Sequence, residues 1–95
     1  MDDIQRGNDA AYILHSDVYK EAFQMIETRL VSELAHIEIP TTRAEYIRSL
    51  LIANRKIRGY LEQVMTTGKM VEMEVERKSL LQRAKEGVRS MVVKP

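Results

Sequence analysis

The sequence predicts an all-α fold built around an antiparallel helical hairpin. Three observations predict it. The apolar residues recur at intervals of three and four rather than two, which is the helical period. Aromatic residues are only 5% of the chain, with no Trp and one Phe, so the interior must be built from Leu, Ile, Val, Met and Ala, a mixture better suited to helices than to a sheet. Four Gly and two Pro supply too little turn chemistry for a many-stranded fold. At 95 residues the chain makes one small domain, 1–95, of which 69–95 is a charged helical arm. A domain of this size buries a modest core and is marginally stable alone.

The first segment, Asp3 to Leu14, has Ile4, Ala10, Ala11 and Leu14 as its apolar points and reads as a short N-terminal helix weakened by Gly7 and Asn8. Ser16 then offers an N-cap. Asp17 and Glu21 follow in the first turns, where negative charge complements the helix dipole. The second helix is expected over about 17–37, with Tyr19, Phe23, Ile26, Leu30, Leu34 and Ile37 on one stripe and Lys20, Glu27, Arg29 and Glu33 mainly off it. Pro40 biases Ile39 away from helical angles and ends it. Thr42-x-x-Glu45 matches a capping box, so a third helix is expected over about 43–67. A link this short favours an antiparallel pair of helices. The stripe of the third helix is Ile47, Leu50, Asn54, Ile57, Leu61 and Val64.

Asn54 interrupts that stripe. A polar residue at a seam fixes register or oligomeric state at a cost in stability. The other reading puts it at the edge of the stripe, hydrogen-bonded to backbone. Thr66-Thr67-Gly68 are three weak helix formers in a row, and Gly is the preferred residue just past a helix end. The third helix is therefore expected to stop near Thr67. A fourth, amphipathic helix is expected over about 69–91. The alternative is one helix running through Gly68, which requires tertiary contacts there to offset about 1 kcal/mol of lost propensity.

The net charge of +1 conceals an asymmetry. Residues 69–95 hold seven Lys/Arg against four Glu, and from residue 77 onward six basic residues face only Glu86. Glu72, Glu74 and Glu76 precede this basic run. The apolar points of the arm, including Leu80, Leu81, Val88 and Met91, are broken at Arg77, too sparse a face for the centre of a monomer core. They are the candidate partner-binding residues. Arg77, Lys78, Arg83, Lys85 and Arg89 are the candidate nucleic-acid contacts, set against the simpler reading of a charged, solvated helix. A second basic group, Arg48, Arg55, Lys56 and Arg58, offers a basic edge on the third helix, set against the simpler reading of solvation beside the apolar stripe with Glu45 and Glu62 as partners.

Nothing in the sequence declares a reaction. There is no cysteine, and His15 and His36 have no second ligand at metal-binding spacing. Glu72, Glu74 and Glu76 alternate and so do not share one helical face. Gly68-Lys69 lacks the rest of a phosphate loop. The expectation is a non-enzyme with no cofactor, metal or small-molecule substrate. There is no secretory signal and no apolar run of membrane-spanning length, so the reading is a soluble protein made in the cytoplasm.

One layout in the chain is familiar. Gly7-Asn8-Asp9-Ala10-Ala11-Tyr12-Ile13-Leu14 is followed by Asp17-Val18-Tyr19-Lys20-Glu21-Ala22, then Thr42-Arg43-Ala44-Glu45, then Leu51 through Leu61 and Gly68-Lys69-Met70. Over residues 4–73 this resembles small, mostly uncharacterised α-helical proteins of tailed, podovirus-like bacteriophages. It departs from them in lacking a central Trp and in its tail from 74 onward. The resemblance implies a phage origin. Two functions then compete. One is a virion structural or assembly protein that binds neighbouring virion subunits, or itself, at the capsid, head-to-tail junction or tail. The other is a small-terminase-like DNA-packaging factor or other nucleic-acid binder using the basic arm. A protein acting on a host partner through the same surface is a third reading.

Overall fold

The computed structural model describes residues 2–93, with side chains as far as Gly87. It is all-helical, with three helices and no strand among the described residues: α1 (Asp3–His15), α2 (Asp17–Leu34) and α3 (Thr41–Val93). The molecule is a rod of 86 × 23 × 22 Å. At about 1.5 Å per residue, the 53 residues of α3 account for nearly all of that length.

The caps explain where the first two helices begin. Asp2 accepts a hydrogen bond from the Gln5 amide at 2.7 Å and opens α1. Ser16, extended between the helices, accepts from the Tyr19 amide at 3.4 Å and opens α2, as its position in the sequence predicts. The end of α2 differs from expectation. The helix closes at Leu34, and Ile37 falls in the link, 99% exposed, rather than on the stripe. The start of α3 differs too. The Pro40 carbonyl accepts the first intrahelical bond from Ala44 at 2.9 Å, so Thr42 lies inside the first turn and is not the cap.

The larger correction is at Gly68. No helix ends there: Thr66, Thr67 and Gly68 are interior to α3, and the expected fourth helix over 69–91 is its continuation. The physical reason is a crossing with α1. A methyl group built on Gly68 would come within 2.7 Å of both the Gly7 Cα and the Asp3 carbonyl oxygen, and one on Gly7 within 2.8 Å of the Gly68 Cα. The two helix backbones meet at a pair of glycines, and only glycine fits. Both are buried, with Ala10 one turn along α1. The propensity lost at two glycines is offset by the close packing they permit.

The remaining core is small: Ala44, Ile47 and Leu51 are buried, and Ile47 is completely enclosed. The inward line of α3 runs Ala44, Ile47, Leu51, Asn54, Leu61, Val64 and Gly68, all buried or half-buried. It uses Leu51 where the sequence stripe has Leu50, and it leaves Ile57 59% exposed. On α2, Glu27 is turned inward and Ile26 outward, the reverse of the stripe reading. The cause is an ion pair, since the Arg55 guanidinium on α3 reaches Glu27 at 2.6 Å. Further along, Arg43 meets Glu33 at 2.8 Å. The Arg58 guanidinium lies 4.7 Å from the centre of the Phe23 ring.

Candidate functional site

Beyond Val71 the character of α3 changes. Every residue from Glu72 to Gly87 is exposed, while the backbone stays helical to Val93. This arm is held by no described contact with α1 or α2. What holds it locally is short-range: Arg77 pairs with Glu74 at 2.9 Å, and the Gln82 amide donates to Glu86 at 3.3 Å. Such pairs contribute about 0.2–0.5 kcal/mol each to a helix. An unsupported helix of this length is marginal in water. The arm is therefore a surface whose helical state gains from being covered.

The apolar side chains on it are large. Met73 and Val75 are exposed, as is Met70 just before the arm, and Leu80 is 63% exposed and Leu81 51%. Of the four residues expected to bind a partner, Leu80 and Leu81 stand free on the arm. Val88 and Met91 lie on α3 but outside the residues whose side chains are described. Of the candidate nucleic-acid contacts, Arg77, Lys78, Arg83 and Lys85 are exposed, and Arg89 lies outside the described side chains. They do not form one patch. At roughly 100° per residue, positions 78, 85 and 89 share a face, whereas 77 and 83 fall on two others. Arg77 is already paired with Glu74.

Asn54 sits on the inward line of α3, half-buried, and its side-chain Nδ2 donates to no partner. Next to it in sequence, Arg55 donates from both Nε and Nη2 to Glu27 Oε1 on α2, leaving Oε2 buried and unpartnered. Sequence reasoning missed this inward-turned charge. The second basic group is used structurally: Arg55 on Glu27, and Arg58 on Glu62 at 3.0 Å and on Phe23. Arg43 is bound to Glu33, and that hydrogen bond and charge raise its pKa above the ordinary arginine value.

One concavity lies near the glycine crossing. Asp3, Arg6, Tyr60, Gln63, Val64 and Thr67 line an open cleft of about 200 Å³, across which Arg6 donates to the Tyr60 hydroxyl at 3.1 Å. The cleft holds no histidine and a single carboxylate, Asp3. Among the described residues no three His, Cys, Asp or Glu side chains are grouped to hold a metal ion, and no helix is long and apolar enough to cross a membrane. Set beside protein-family models, curated proteins and solved structures, the chain matches none of them.

Proposed function

We propose that this protein is a small structural or assembly component of a tailed-phage particle. It would bind neighbouring virion subunits through the arm of α3, at the capsid, the head-to-tail junction or the tail. In this reading α2 lies antiparallel along the first half of α3, which the order of the Glu27–Arg55 and Glu33–Arg43 pairs supports. The hairpin and α1 together form the anchored end, and Leu80, Leu81, Val88 and Met91 form the gripping end. The observation that carries the docking role is the uncovered arm, an intact helix whose Met73, Val75, Leu80 and Leu81 are all exposed. The phage origin rests on the resemblance over residues 4–73. The protein is then made in the host cytoplasm and located in the virion.

Mass spectrometry of purified particles tests it. The expected result is a fixed copy number related to the symmetry of capsid or tail. Clean absence from mature particles sinks the virion reading.

A second reading is favoured by one observation, the shared face of positions 78, 85 and 89. In a DNA-packaging or other nucleic-acid-binding factor, Lys78, Lys85 and Arg89 would meet phosphates. Three such contacts give a slope of log affinity on log salt of roughly −2.7. A chain that fails to bind duplex DNA even at low salt excludes it.

A further inference from the structure

We propose that the partner which first covers the arm is a second copy of this chain, laid antiparallel so that residues 70–87 of each copy pair. This deepens the docking reading above and rests on the arm being the docking surface.

The arm carries a heptad seam. Met70, Met73, Arg77, Leu80, Ala84 and Gly87 follow one another at spacings of three and four without interruption, the period that lets one helix lie along another. All six are exposed. When a second arm runs in the opposite direction and Arg77 faces its Leu80, the other layers are fixed. Met70 then faces Gly87 and Met73 faces Ala84. In these two outer layers a large side chain meets a small one, with Arg77 and Leu80 at the centre, and the seam is complementary to itself. The stem of Arg77 lies along Leu80 while its charged end reaches out to Glu74, which it already contacts at 2.9 Å.

The charges choose the direction. The first half of the arm carries Glu72, Glu74 and Glu76, and the second half Arg77, Lys78, Arg83 and Lys85. In the antiparallel register Glu76 flanks the seam on the same side as Arg83 of the second copy, and the symmetry makes this pair twice. A parallel pair in register sets Arg77 against Arg77 in the seam and leaves Glu76 beside Leu81. Like charges in the seam oppose that arrangement. There is also room for the second arm. By helical phase, Val64 and Gly68, which face α1, lie on roughly the opposite side of α3 from this seam. The tip of the second copy can pass Thr66 without meeting α1.

The test uses the full chain in sedimentation equilibrium over micromolar to sub-millimolar concentrations. The expected result is a reversible dimer. Glu76→Arg weakens it about tenfold, because two symmetric attractions become repulsions. Adding Arg83→Glu to Glu76→Arg restores it. The native chain has no cysteine, so introduced ones report register cleanly. A mixture of Met73→Cys and Ala84→Cys chains is expected to form the mixed disulfide dimer, and Met73→Cys alone is not. Circular dichroism checks that each variant keeps its helix. A chain that stays monomeric throughout overturns the proposal, as does efficient Met73→Cys self-linking or indifference to the charge reversal. A monomeric chain that is nonetheless found at fixed copy number in particles would remove self-pairing and leave the docking reading standing.

Discussion

Gly68 illustrates how one residue can carry opposite meanings. Its low helix propensity argues for a break, yet its missing side chain is what lets α1 lie against an unbroken α3. Gly68→Ala is expected to destabilise the fold by about 1–3 kcal/mol through overpacking, less up to about 1 kcal/mol of regained propensity. The measurement is urea unfolding, with hydrogen exchange showing the loss first in α1. Gly59 is the control. Nothing lies within 4 Å of a methyl group built there, so Gly59→Ala is expected to stabilise by about 0.5–1 kcal/mol. Equal effects at the two positions would dismiss the crossing as the reason for Gly68. Asn54 is the other informative residue. Its Nδ2 is buried without a partner, so Asn54→Leu is expected to raise stability by about 1 kcal/mol. A change in the mass of the assembly, read by light scattering, would give Asn54 the register role. Unchanged mass would leave it only a destabilising residue.

Among the elements, the starts of α1 and α2 are legible because their signals are local. Asp3 begins a helix, Ser16 caps the next, and Pro40 closes the link. The continuity of α3 was not legible, because the contact that sustains it comes from Gly7, 61 positions earlier, and no local propensity reports it. Two glycines inside otherwise helical patterns are the trace it leaves. The face of α2 is obscured at one step for a similar reason: Glu27 turns inward where it pairs with Arg55 of another helix. Leu80 and Leu81, which the sequence offers as partner-binding residues, are exposed on the arm. The arm and the body of α3 are expected to differ in dynamics. Amides at 72–87 exchange quickly in the isolated chain and those at 44–68 slowly, since only the latter are backed by packing. Protection appearing at 72–87 on assembly would map the covered surface. Slow exchange there in a dilute monomer would contradict the unsupported state of the arm.

At the scale of the whole molecule, the four buried apolar side chains among the described residues, set against many exposed ones, give little stability. A rod of 86 × 23 × 22 Å also sediments more slowly than a compact protein of 11.0 kDa, so its frictional ratio is expected to be well above that of a sphere. A compact hydrodynamic radius would mean that the arm folds back in solution. Composition foretold the helical class and the modest core. It could not foretell the elongation, which depends on the single question of whether one helix stops at residue 68.

Because α3 is unbroken, it works as a ruler with a fixed twist. The direction in which Leu80 points is geared to the direction from which α1 approaches, with no hinge between them to absorb an error. One residue inserted after Val71 would advance the tip by about 1.5 Å and swing it through about 100°, turning its grip away from whatever it meets. Seven inserted residues would lengthen the reach by about 10 Å and return it to nearly the same heading. If assembly tolerates the seven better than the one, azimuth matters more than distance at this junction.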